Sequence, residues 1–215
     1  LLALLRLIEA GGEIGPGHSS WMSALRILGA SRYWGDQLIA RPALLADLDA
    51  NPFDEHFSAV YRRIADSLRP ILNDPRGFGD AVVHLRRMYR REMLGIVSQD
   101  LDDSAADRES AKETMPAAGR SIANLVGATL EGALMIARFR HPEAANVPFA
   151  IIAMGKTGAE ELNYISDVDV IYVCEGGDAA VEAATVLATA VTRIVSEVGP
   201  EPPLWPLDAN LRPEG

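Results

Sequence analysis

The chain changes its period once. As far as His141-Pro142 its apolar residues recur at helical spacing; from Val147-Pro148 onward they come in short unbroken runs. A long helical stretch followed by a compact strand-bearing stretch predicts an α+β chain. Its architecture should be a largely helical N-terminal region, then a small mixed or antiparallel sheet flanked by helices. The boundary is placed so that residues 1–114 form the helical region. Residues 115–215 form the core that carries the chemistry, its leading long helix included.

The expected helices run over Leu1–Ala10, over a segment carrying Trp21, Leu25 and Leu28, and over Asp54–Leu68, Phe78–Leu101 and Met115–Arg140. Ser19 or Ser20 can cap the second, and Pro42 can open a short helix through Leu44, Leu45 and Leu48. Asn73-Asp74-Pro75-Arg76-Gly77 is a turn signal, and the acidic stretch Asp102–Glu113 reads as a loop or frayed helix start. Pro116 is expected in the first turn of the last helix, where its missing N–H costs nothing. In the second region Phe149–Met154 reads as a buried strand and Gly155-Lys156-Thr157-Gly158 as a turn. A second strand runs through Val170-Ile171-Tyr172-Val173-Cys174, ending at Gly176-Gly177. Ala179–Val198 carries a helical stripe of Ala184, Leu187, Val191, Ile194, Val195 and Val198. Leu204–Leu211 reads as a last strand, with Leu204, Pro206, Asp208 and Asn210 on one face; Pro206 favours its edge or its start.

The second strand opens on Ser166-Asp167-Val168-Asp169-Val170. In extended chain, residues i and i+2 share a face, so Asp167 and Asp169 project together while Val168 and Val170 enter the core. Two like charges held that close repel unless something positive sits between them. Carboxylate oxygens suit a hard divalent cation, above all Mg²⁺. Asp208, on the polar face of the last strand, supplies a third carboxylate. Paired carboxylates, a third from another strand and a glycine turn whose N–H groups can approach phosphate oxygens form the inventory of two-metal phosphoryl or nucleotidyl transfer. An EF-hand does not fit, because Ile171 and Tyr172 occupy positions that need a ligand and a glycine. A P-loop would need glycine at position 150, which is Ala150.

Composition narrows the partners. A net charge of −10 argues against general nucleic-acid binding. No apolar run reaches the roughly 18 residues expected of a membrane span. The single cysteine, Cys174, excludes an internal disulfide and fits a reducing cytoplasm. His18, His56, His84 and His141 lack zinc-site spacing. The chain opens on Leu1 and closes just past the last strand, which reads as an excised, C-terminally truncated piece of a longer protein. Gly199–Trp205 is short for the connection it makes.

The order glycine turn, Asp-Val-Asp, later Asp resembles the DNA polymerase beta-like nucleotidyltransferase superfamily. Within it, Met154-Gly155-Lys156-Thr157-Gly158 through Ser166-Asp167-Val168-Asp169-Val170-Ile171 is similar to the signature of the bifunctional glutamine synthetase adenylyltransferase/adenylyl-removing family. Asp208-Ala209-Asn210-Leu211-Arg212-Pro213-Glu214-Gly215 resembles a second segment of that family, and Gly29-Ala30-Ser31-Arg32-Tyr33 extends the likeness into the helical region. The Glu-Leu-Asn-Tyr wording at 161–164 and the 208–215 ending look like N-terminal, adenylyl-removing halves of actinobacterial members. The resemblance implies metal-dependent phosphorolysis of an AMP–tyrosine bond on adenylylated glutamine synthetase, giving ADP, in control of nitrogen assimilation.

It also implies the site. Asp167, Asp169 and Asp208 are the catalytic, metal-holding residues, for Mg²⁺ (two ions, with Mn²⁺ as a substitute). Gly155, Lys156, Gly158, Ser166 and Arg212 bind the nucleotide and phosphate. Partners would be glutamine synthetase, nucleotide and inorganic phosphate, with a PII-type signalling protein acting through the full-length parent, and neither nucleic acid nor membrane. Two alternatives stand beside this reading: the ATP-dependent adenylylating half, and a non-catalytic regulatory or scaffold piece. Outside the site, Arg86, Arg87, Arg90 and Arg91 read as a solvated or salt-bridged helix face. Cys174, Trp21, Trp34 and Trp205 read as packing residues.

Overall fold

The computed structural model describes residues 1–13, 20–48, 52–105 and 108–209. It is an α+β structure whose chain sorts into two compact, interleaved units: Leu1–Glu55 with Arg90–Ser121, and His56–Tyr89 with Ile122–Gly215.

The first unit is helical. It contains α1 (Leu2–Glu9), α2 (Trp21–Ala30), α3 (Arg32–Ala40) and a 3₁₀ turn over Pro42–Asp47 that Pro42 opens as expected. Leu7, Ala24, Ile27, Leu38, Leu45, Leu48, Leu94 and Val97 form one buried cluster. Ser20 sits at the N-cap of α2 without a capping bond, whereas the Ser31 hydroxyl accepts from Trp34 N–H at 3.3 Å and starts α3.

The second unit holds α4 (Phe57–Leu72), the first turns of α5 (Phe78–Ser104) and most of α6 (Arg108–Arg140). These helices touch closely at Gly132: a Cβ there would lie 2.9 Å from both Ile64 Cγ2 and Leu85 Cδ1. After them come β1 (Phe149–Ala153), a single helical turn α7 (Gly155–Gly158), β2 (Val168–Cys174), α8 (Asp178–Ser196) and β3 (Leu207–Asp208). The three-stranded sheet has the order β1-β2-β3. β1 and β2 are antiparallel, with Ala153 opposite Val170, and β2 and β3 are parallel, with Val168 opposite Leu207 and Asp169 opposite Asp208. The mixed sheet beside helices is the expected architecture. Tyr172 ties β2 to α8 through a 3.0 Å bond to the Thr192 hydroxyl, and burial raises the Tyr172 phenol above its ordinary range.

Several expectations are corrected. α4 continues through Pro70 to Leu72 rather than stopping at Leu68. Pro70 is exposed, so water can serve the carbonyl that its ring leaves without a donor. α5 runs past Leu101 to Ser104 because Asp102 is anchored by Ser23 and Arg26. α6 begins at Arg108, so the 102–113 stretch is mostly helix and Pro116 lies inside α6, exposed, rather than in its first turn. α8 ends at Ser196; five of its six stripe residues are buried, but Val198 is beyond the helix and 86% exposed. β1 is only half-buried, with Ile152 45% exposed, because alternate residues face away from the helices. The last strand, expected from Leu204, is reduced to Leu207–Asp208 among the described residues. Pro202, Pro203 and Pro206 have no N–H to give a ladder, and Leu204 spends its own on Val195 O at 2.8 Å. By length and hydropathy, 114–140 of α6 and α8 could each cross a membrane, against the expectation from apolar runs. In α6, 67% of that window is buried inside the structure.

Candidate functional site

The candidate residues gather where β1 ends, β2 begins and β3 pairs. β2 alternates as its sequence requires: Val168 and Val170 are 1% and 3% exposed, while Asp169 between them is half-buried on the other face. Asp208 is register partner to Asp169 in a parallel pair, so the two stand on neighbouring strands on the same face. Asp167 is exposed and immediately precedes β2. The loop into it is shaped locally, with Asn163 Oδ1 accepting from Ile165 N–H at 3.0 Å.

Gly155 explains how the turn meets this face. Its φ is +52°, and a Cβ at this position would lie 2.6 Å from Asp169 Oδ2. Only glycine allows the backbone to adopt that φ and lie against the carboxylate together. Met154 N–H donates to Asp169 O at 2.9 Å, extending the β1–β2 pairing up to the turn. Gly158 closes the same turn: its N–H reaches Met154 O at 2.9 Å, and a Cβ would stand 2.5 Å from Ala153 O. Lys156 is exposed on α7. Ser166 and Thr157 each bury a hydroxyl oxygen that has no hydrogen-bond partner among the described residues. Arg212 lies outside the described residues.

The structure thus brings Gly155, Asp169 and Asp208 together, while Ser166 and Asp167 lie in the loop just before β2. Among the described residues no group of three or more His, Cys, Asp and Glu side chains is gathered closely enough to hold a metal ion. The donor chemistry nonetheless fits a hard divalent cation: aspartate oxygens, an unpartnered serine hydroxyl and a backbone turn that lies against Asp169. One of two cavities reaches the turn. This one, of about 310 Å³, is lined by Phe57, Glu131, Ile151, Thr157, Gly158 and Glu160. A larger one, of about 870 Å³, is lined by α5, α6, α8 and the 197–201 loop and includes none of the candidate residues.

Two contributors escaped the sequence reading. Thr157 was passed over as part of the turn, yet it is 5% exposed. Arg86 was grouped with a solvated face, yet it is 2% exposed and spends its guanidinium on backbone carbonyls beyond α8. Arg90 is likewise buried; Arg87 and Arg91 do form ion pairs, with Glu201 and Asp47. Nothing in the spacing of four arginines marks which two turn inward.

Residues 21–215 match the family model described as "Glutamate-ammonia ligase adenylyltransferase". The chain is 40% identical over its whole length to the bifunctional glutamine synthetase adenylyltransferase/adenylyl-removing enzyme of Streptomyces avermitilis, of which it covers 21%. It is 38% identical over its whole length to the enzyme of that name from Streptomyces coelicolor, covering 22%. For the one from Cutibacterium acnes the identity is 37%, with 95% of this chain and 21% of the relative aligned. The chain therefore spans about a fifth of the length of these curated relatives.

Proposed function

The chain belongs to the glutamate-ammonia ligase adenylyltransferase family, and on that footing we propose that it forms the adenylyl-removing site of a cytoplasmic bifunctional enzyme. The substrate is glutamine synthetase carrying AMP on a tyrosine, and the second substrate is inorganic phosphate. The observation that carries the reading is the register of Asp169 beside Asp208 with the Gly155 backbone packed against Asp169. The wording of 161–164 favours the removing half over its adenylylating counterpart.

Asp167, Asp169 and Asp208 would hold Mg²⁺, whose chemistry when bound is to neutralise charge on the transferred phosphoryl group. The residues themselves divide the remaining work. The turn at Gly155–Gly158 lets main chain approach phosphate oxygens without side-chain obstruction. Ser166, with its unpartnered hydroxyl, can donate to a phosphate oxygen or accept from a bound water. Lys156, exposed on α7, offers a positive charge on a long side chain. A phosphate oxygen forms a bond to the phosphorus of AMP as the tyrosine oxygen leaves with the electron pair and takes a proton. The products are ADP and the unmodified tyrosine side chain of the synthetase. Phosphate is nucleophilic at neutral pH, so this direction needs no strong general base.

The test uses the full-length enzyme that contains this segment, with adenylylated glutamine synthetase, phosphate and Mg²⁺. ADP should be released, and Asp167→Asn should lower the rate by about 100-fold or more, the scale of losing a principal electrostatic contributor. No ADP from the parent, or a rate undiminished in Asp167→Asn, would sink the proposal. Incorporation of AMP from ATP into unmodified synthetase that requires Asp169 of this segment would assign it to the adenylylating direction instead.

A further inference from the structure

We propose that Arg86 is a positioning residue for the candidate site, clamping the segment that delivers Asp208; this rests on the reading of Asp208 as a metal-holding carboxylate. Among the described residues β3 pairs with β2 over Leu207 and Asp208, a short ladder. The chain reaches it from α8 through Glu197–Pro206, a stretch with four prolines and little secondary structure. Arg86, on the adjoining α5, holds that stretch. Its Nε donates to Ile194 O at 2.9 Å, Nη1 to Glu201 O at 2.6 Å, and Nη2 to Glu197 O at 2.7 Å and Arg193 O at 3.4 Å.

Two of these carbonyls, Arg193 O and Ile194 O, belong to the last turn of α8, where the helix dipole favours a cation; Arg193 O also accepts from Glu197 N–H at 3.0 Å. The other two lie beyond the helix, so one planar guanidinium joins the helix end to the outgoing loop. The next residues are tied in sequence: Arg87 pairs with Glu201 at 3.1 Å, Trp205 packs edge-on to Tyr89 at 6.2 Å, and Pro206 O accepts from Val168 N–H at 3.3 Å. Each tie runs from α5 or β2 to the connection, and the last is two residues before Asp208.

A lysine cannot reproduce this, since its ammonium is a compact charge with three donors while Arg86 spans four carbonyls from a rigid fork. Arg86→Lys is therefore a test that keeps the charge. In the full-length enzyme, amide hydrogen exchange at 197–208 should quicken in Arg86→Lys while α1–α3 exchange as in the wild type. Mn²⁺ affinity, read by electron paramagnetic resonance, and kcat for ADP release should each fall by about 10–100-fold, the range seen when supports of metal ligands are removed. KM for the adenylylated protein should stay within about twofold, because the loss falls on the reacting centre rather than on docking. Unchanged exchange at 197–208 would overturn the clamp. So would faster exchange with Mn²⁺ affinity and kcat intact, provided Asp208→Asn loses both. If Asp208→Asn keeps both, what falls is the reading of Asp208, and the clamp's role at the site falls with it.

Discussion

At the scale of single residues, Gly155 and His84 show how differently a side chain's absence and its burial act. Gly155→Ala places a Cβ on a φ of +52° and against the Asp169 carboxylate. The backbone strain alone costs about 1–3 kcal/mol. Its larger effect should be on activity, because the relief available is a shift of Asp169. We expect a lowered urea midpoint together with loss of ADP release in the full-length enzyme; an alanine variant with wild-type kcat would show that Asp169 can shift without consequence. His84 lies on α5, and burial, then the Arg87 charge, hold its pKa below the ordinary value of 6.5. The unfolded chain then binds a proton that the folded chain refuses. Stability is full at neutral pH and declines as pH falls below about 6.5, levelling once the folded-state pKa is passed. His84→Gln should flatten that decline between pH 7.5 and 5, measured as urea midpoints, and an unchanged slope would place the titration elsewhere. The alternation that sets Asp169 between buried Val168 and Val170 was legible in the sequence, because a two-residue period is a local property. Arg86 was not, because its carbonyl partners come from Arg193–Glu201, a separation no periodicity encodes.

At the scale of elements, the sequence gives most where one face must be apolar. The α8 stripe from Ala184 to Val195 is buried as its spacing requires, and β2 alternates as read. It says least where an element ends, because ends depend on partners supplied from elsewhere. α5 outruns its expected end through Ser23 and Arg26, and β3 is curtailed because proline removes donors and Val195 takes the Leu204 N–H. Helix contacts were also invisible: Gly132, read as one more position in a long helix, is where α4 and α5 meet α6. The neighbours of a Cβ there are the flexible ends of Ile64, Leu85 and Leu68, with the first two at 2.9 Å. Those methyls can yield to one added carbon but not to a full side chain. Gly132→Leu should therefore lower the unfolding free energy by about 1–3 kcal/mol, as overpacking does, while Gly132→Ala should cost less. Equal midpoints for Gly132→Leu and wild type in urea would mean that these helices can separate freely.

At the scale of the whole molecule, the site belongs to a unit that the chain builds in two passes. His56–Tyr89 supplies α4 and the start of α5, and Ile122–Gly215 supplies the rest. Composition and charge do not reveal such interleaving, and a sequence boundary can only be drawn where the pattern changes. A polypeptide beginning at Met115 keeps every candidate carboxylate but discards α4 and α5. It loses Ile64, Leu68 and Leu85, each 0% exposed, and with them Arg86, so the face of α6 at Gly132 and the carbonyls beyond α8 are left facing water. Each large aliphatic side chain lost from such a core costs about 2–5 kcal/mol, and net stabilities of domains are only about 5–15 kcal/mol. The 115–215 polypeptide should show no cooperative thermal transition by circular dichroism and poor amide dispersion by NMR. A polypeptide of 56–215 retains both passes and should melt cooperatively, at a lower temperature than 1–215 because Arg90–Ser121 has lost the partners in Leu1–Glu55. A sharp transition and dispersed spectrum from 115–215 would mean that the strand-bearing segment carries its own core, and that α4 and α5 serve something other than the fold of the site.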